Sequence, residues 1–167
     1  RNINHPYKYP MRKHRQELKV LAREFNCITA ENLMKWEYLQ PKPGFFNFDQ
    51  MDEFVKLAEK NNQEVVGHVL VWHAQVPGWL FKDDEGQTVS REVLIERMRE
   101  HIHTVVGRYK GRIKYWDVVN EAVTTRMVKQ ENEEEVRVAA LRNSPWRQII
   151  GDDFIELAFR FAHEADP

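Results

Sequence analysis

The chain predicts an α/β fold built on a parallel sheet, and three features of its 167 residues lead there. Segments of helical and strand-like periodicity alternate from end to end, as βαβ units require. The run Val65-Val66-Gly67-His68-Val69-Leu70-Val71 is almost continuously apolar and β-branched, which fits a strand covered on both faces. Each strand-like segment also runs out into polar and aromatic residues, and α/β folds collect their sites at such strand ends.

The elements follow in chain order. Between Met11 and Phe25, the residues Leu18, Leu21, Ala22 and Phe25 recur at i, i+3, i+4 and i+7, giving a first helix one apolar face. Asn26 to Thr29 forms a short strand, followed by the polar turn Ala30-Glu31-Asn32 and a loop holding Pro41, Pro43 and Gly44. Asp49 caps a second helix with Met51, Phe54, Val55 and Ala58 inward, and Glu64 to Trp72 forms the second strand. Ser90 caps a third helix, in which Leu94, Met98, His101, Ile102 and Val105 share a face that ends near Gly107 to Gly111. Ile113 to Val119 is the third strand. The charged stretch Lys129 to Arg137 reads as a solvated loop or exposed helix without chemistry of its own. Asp152 or Asp153 opens a last helix with Phe154, Ala158, Phe161, Ala162 and Ala165 inward. A (β/α)8 barrel typically needs about 250 residues, so three strands supply less than half of one.

Composition narrows the partners. With 42% hydrophobic and 31% charged residues the chain has the makings of one globular domain. A net charge of −1 provides no broad basic field for nucleic acid or an anionic membrane surface, so a neutral substrate fits better. No stretch approaches the roughly 18 apolar residues of a membrane span, and the N-terminus shows no apolar signal region. Beginning at Arg1 rather than Met, the chain reads as a processed, excised or partial product. Cys27 has no cysteine to pair with and reads as a buried, inert thiol in the run Phe25 to Ile28.

The strand ends hold the candidate chemistry: Glu31, Asn32 and Lys35 after the first, Trp72, His73 and Gln75 after the second, Asn120 and Glu121 after the third. In a parallel β/α fold these ends share one rim, so the clusters converge. Glu121 is the candidate general acid/base, because a carboxyl in a low-dielectric cleft holds its proton near neutral pH and can pass it to a leaving oxygen. Asn120 beside it can hold a sugar hydroxyl. Strand side chains alternate faces, so both reach the cleft only if the strand breaks there. Sugar rings stack on aromatics and present hydroxyls at their edges, and Trp72, His68, Gln75 and Trp79 offer both kinds of partner. Trp36, Trp79, Trp116 and Trp146 read more readily as core. No metal site is expected: His68 and His73 lack a third close ligand, and His101 and His103 lie on different helix faces. No Gly-rich phosphate loop or Gly-x-Ser-x-Gly elbow is present.

Three blocks resemble glycoside hydrolase family 10, the endo-1,4-β-xylanases: Phe25-Asn26-Cys27-Ile28-Thr29-Ala30-Glu31-Asn32-Leu33-Met34-Lys35-Trp36-Glu37, Gly67-His68-Val69-Leu70-Val71-Trp72-His73-Ala74-Gln75-Val76-Pro77-Gly78-Trp79 and Trp116-Asp117-Val118-Val119-Asn120-Glu121-Ala122. The resemblance implies that residues 1–167 are the N-terminal part of a catalytic domain, strand two to helix four of a (β/α)8 barrel that hydrolyses xylan with retention. By the same resemblance Glu121 is the acid/base and Asn120 contacts the 2-hydroxyl of the sugar being cleaved. Glu31, Asn32 and Lys35 hold the glycone-side sugar, and His68, Trp72 and Gln75 form the wall after strand three. The nucleophile, a second Glu at the end of strand seven, has no counterpart in this chain, so the partners implied are xylan and the remainder of the barrel. No cofactor is implied, and the family implies a secreted, cell-surface or periplasmic setting. The alternative reading is a non-catalytic xylan-binding or assembly fragment. The segment after Ala122 is longer than the family pattern at that place.

Overall fold

β1 (Cys27–Thr29), β2 (Glu64–Val71) and β3 (Tyr115–Val119) form a parallel sheet in the order β1-β2-β3. The computed structural model describes residues 15–130 and 134–167. Around the sheet run α1 (Arg15–Glu24), α2 (Trp36–Leu39), α3 (Asp49–Lys60) and α4 (Arg91–Arg108), then α5 (Pro145–Ile150) and α6 (Phe154–Ala165). The strand-helix alternation read from the sequence is observed as far as the third strand, with α2 and a 3-10 turn at Gly78–Phe81 in addition; beyond it, two further strands and α5 precede the last helix.

The helix faces are set by periodicity. In α4, Leu94, Met98, His101, Ile102 and Val105 are all buried, and they meet Phe154, Ala158 and Phe161 of α6. Each such apolar side chain contributes about 1.5–3 kcal/mol on burial, which is what keeps this pair of helices on the sheet. Ser90 caps α4 as expected, accepting from the Val93 N–H. Asp49 is the first residue of α3 rather than its cap, where its charge complements the helix dipole.

The sheet is covered less evenly than its sequence suggests. In β2, Val65, Gly67, Val69 and Val71 are buried while Val66 and His68 are half-buried, so the face carrying Val66 and His68 is partly open. In β1 only Ile28 is buried, which leaves Cys27 exposed rather than buried as expected. The apolar face of α1 behaves similarly: Leu18 and Leu21 pack against the core, but Ala22 and Phe25 are exposed. The Met11 to His14 portion of that expected helix lies outside the described residues.

The charged stretch after β3 is neither loop nor helix. β4 (Val123–Lys129) and β5 (Glu135–Leu141) pair antiparallel from Val123↔Leu141 to Lys129↔Glu135, forming a separate two-stranded ribbon. Alternation explains it: Val128, Val136 and Val138 are half-buried and share one face with Thr124, Ala140 and the exposed Arg126, while Lys129, Glu135 and Arg137 fall on the other. Charge density masked a period-2 pattern. Glu131 and Glu133 of the acidic run lie outside the described residues.

Candidate active site

Glu121 stands where β3 ends. The strand stops at Val119, and the Asn120 N–H still donates to Val71 O at 2.9 Å. Glu121 then adopts a left-handed backbone with φ of 53°, so the break that the Asn120-Glu121 pair demands is present. The neighbouring β2 contributes an irregularity of its own, since the register slips between His68↔Asp117 and Val71↔Val119. Asn120, Glu121, Trp72, His73 and Arg142 line a small cavity over the buried Trp146.

Hydrogen bonds and one cation–π contact connect the rim from β1 to β3. Lys35 is only 8% exposed, and its ammonium donates to Asn32 Oδ1 at 3.0 Å and to Gln75 Oε1 at 2.5 Å. Burial holds the Lys35 ammonium below its usual pKa, against the opposing pull of Glu31 and Glu37. Gln75 also donates to Glu37 Oε1 at 3.3 Å. The Lys35 ammonium lies 5.0 Å from the Trp72 ring centroid, a cation–π distance. The Trp72 indole N–H donates to Glu121 Oε2 at 3.0 Å, and the His73 Nε2 approaches the same oxygen at 3.7 Å. Trp72 is itself anchored, because the Trp146 indole N–H donates to its carbonyl at 2.8 Å.

Asn32, Lys35, Trp72, Gln75 and Glu121 are thus one connected set, with Asn120 beside Glu121 in the cavity wall. Glu31 is exposed and reaches the set through its charge on Lys35. His68 is turned to a different partner, Asp117 on the adjacent strand, at 2.8 Å. The side chain of Glu121 is 49% exposed, so the described residues alone do not enclose it in the low-dielectric cleft the sequence suggests.

Two residues beside Glu121 escaped the sequence reading as functional groups. His73 belonged to the strand-end cluster without a role; burial and the Arg142 charge lower its pKa while Glu121 raises it, so the ring beside the carboxylate favours its neutral form. Arg142 lies 21 residues beyond Glu121, yet its Nε–H donates to the Glu121 carbonyl at 2.8 Å. No sequence signal marks that contact, because the β4–β5 ribbon lies between the two residues. Trp146 fits its expected place in the core, 1% exposed.

Comparison with known proteins places this geometry. The family model "Glycosyl hydrolase family 10" matches residues 5–167. The chain is 51% identical over 148 residues to an endo-1,4-beta-xylanase A of Xylanibacter ruminicola, covering 89% of this chain and 37% of that protein. It is equally 51% identical over 148 residues to an endo-1,4-beta-xylanase of Geobacillus stearothermophilus, covering 89% of this chain and 42% of that one. The chain therefore spans about two fifths of the length of these curated relatives. Among solved structures, a GH10 endoxylanase retrieved from sugarcane soil metagenome superposes with a TM-score of 0.82 at 46% identity, over 95% of this chain and 42% of its own. An endo-1,4-beta-xylanase from Caldicellulosiruptor owensensis gives a TM-score of 0.74 at 48% identity, over 88% of this chain and 42% of its own. The parallel strands and alternating helices described above are part of a (β/α)8 barrel, and the chain belongs to glycosyl hydrolase family 10.

Proposed function

We propose that residues 1–167 are the acid/base-bearing part of an endo-1,4-β-xylanase catalytic domain, which cleaves internal β-1,4-xylosidic bonds with retention of configuration. The observation that carries this reading is the setting of Glu121. Its Oε2 accepts from the Trp72 indole, and its Oε1 has no partner among the described residues, so one oxygen is fixed and the other is available to the glycosidic oxygen. The xylanase names of the relatives support the substrate.

In this reading Glu121 protonates the glycosidic oxygen as the bond to the anomeric carbon breaks. A second carboxylate, supplied by sequence beyond these residues, attacks that carbon to form the glycosyl-enzyme. Glu121, now ionised, takes a proton from the water that displaces it. Asn32, Lys35 and Gln75 hold hydroxyls of the glycone-side sugar, with Glu31 and His68 at the margins, and Asn120 holds the 2-hydroxyl. Trp72 both supports the sugar face and fixes Glu121. The remaining barrel strands, on another segment or chain, complete the cleft. Xylan is a polymer that does not cross a bilayer, which favours a secreted, surface or periplasmic enzyme. Among the described residues, no helix is long and apolar enough to cross a membrane.

Reducing-sugar release from xylan by the full-length protein tests the proposal. Glu121→Gln, which removes the transferable proton, is expected to lower the rate by roughly 10²–10⁴-fold. Undiminished release would overturn the assignment of Glu121, and an inverted first product by proton NMR would overturn retention. Xylan binding without any release by the wild type would mark a non-catalytic module instead.

A further inference from the structure

The backbone at Glu121 is in a conformation that residues other than glycine rarely adopt, and something must hold it there. Arg142 holds the two successive carbonyls that leave that turn. Its backbone N–H donates to Ala122 O at 2.7 Å, and its side-chain Nε–H donates to Glu121 O at 2.8 Å. Arg142 is in turn fixed from the other side, because its carbonyl accepts from Ser144 N–H at 2.9 Å and Ser144 caps α5. α5 is anchored by the fully buried Trp146, whose indole bonds the carbonyl of Trp72, the residue that donates to Glu121 Oε2. A closed circuit therefore runs from Glu121 through Arg142, Ser144, Trp146 and Trp72 back to Glu121. The whole β4–β5 ribbon is an excursion between the two ends of the Arg142 staple.

We propose that Arg142 is a positioning residue for proton donation: it locks the left-handed turn so that the Glu121 carboxyl meets the leaving oxygen. This rests on Glu121 being the acid. Arg142 needs no contact with the substrate for this role. Its planar guanidinium gives a fixed donor direction at Nε that a lysine ammonium on a flexible stem does not reproduce.

Leaving-group dependence in the full-length protein distinguishes positioning from general structural damage. A dinitrophenyl xylobioside expels a stable phenolate without protonation, whereas xylotetraose needs the acid. Misplacing a catalytic group by about 1 Å can cost on the order of 10²-fold, so Arg142→Ala is expected to lower kcat/KM on xylotetraose by about that factor while barely changing it on the aryl substrate. Arg142→Lys, the milder change, is expected to show the same split with a smaller loss. Equal losses on both substrates, or no loss on either, would overturn the proposal. Glu121→Ala is the control: if it shows no split, the acid assignment itself fails, and the role of Arg142 fails with it. A split with Glu121→Ala but none with either Arg142 variant overturns the Arg142 role alone.

Discussion

His101 offers the sharpest test of how this core is held. Its ring is fully buried on α4 and stacks on Trp36 with centroids 3.7 Å apart. Nδ1 lies 2.8 Å from Gln40 Oε1, an acceptor, so the neutral tautomer carries its proton on Nδ1. Nε2 is buried without a partner among the described residues. Protonation would place a second N–H and a full charge where nothing accepts them, and burial accordingly pushes the pKa from 6.5 down to about 3. The folded state binds this proton less readily than the unfolded state does. Stability from His101 is therefore complete above pH 6.5 and falls as the pH drops from there toward 3.

Each pKa unit corresponds to about 1.4 kcal/mol, so acidifying from pH 7 to pH 5 costs roughly 2 kcal/mol through this one residue. That is a large share of a typical folding stability of about 5–15 kcal/mol. The perturbation is His101→Phe, which keeps a ring against Trp36 but cannot titrate. Losing the Gln40 bond lowers stability at every pH by about 1–3 kcal/mol, yet the variant is expected to lose about 2 kcal/mol less than wild type between pH 7 and pH 5. Urea unfolding of the full-length protein at the two pH values measures this directly. Equal pH 7 to pH 5 losses in the two proteins would refute the reasoning.

Two further outcomes follow from packing. A Cβ at Gly67 would lie 2.2 Å from Trp116 Cε3, within the ring that faces it across the β2–β3 pairing. Gly67→Ala is thus expected to lower stability by about 1–3 kcal/mol or more, read as a lower urea midpoint, and an unchanged midpoint would contradict the placement of Trp116. Replacing residues 127–137 with Asn-Gly joins Arg126 to Val138, a hydrogen-bonded pair of the ladder, through a two-residue hairpin turn. Both Arg142 bonds survive that deletion, so kcat/KM on xylotetraose is expected to stay unchanged; a loss matching that of Arg142→Ala would make the ribbon itself the support.

The fold was legible wherever periodicity had a single interpretation. The inward face of α4 is the example, because an apolar stripe at 3.6 residues has one way to be buried; β2 was legible as a strand, but its half-buried Val66 and His68 leave one face less covered than a continuous apolar run implies. α2 and α5 were not, since four- and six-residue helices are too short to show a stripe. The ribbon was misread for a different reason: Lys129, Glu135 and Arg137 dominate the composition, while the valines beneath them carry the alternation. Cys27 was misread because an apolar local sequence says nothing about which elements cover a three-residue strand.

The site divides along the same line. Strand ends are local in sequence, so Lys35, Trp72 and Glu121 could each be picked out by type and position, and parallel pairing then brings them to one rim. What sequence does not encode locally is the device that makes one of them usable. Glu121 occupies a left-handed position without being glycine, a strain of about 1–3 kcal/mol that persists only when the surroundings over-determine it. Here they do: Trp72 grips one carboxylate oxygen, while Arg142, returning after the ribbon, holds the carbonyl. Residues separated by 49 and 21 positions converge on a single glutamate. The ribbon between them can vary in length without moving the glutamate, provided that the arginine still closes the turn.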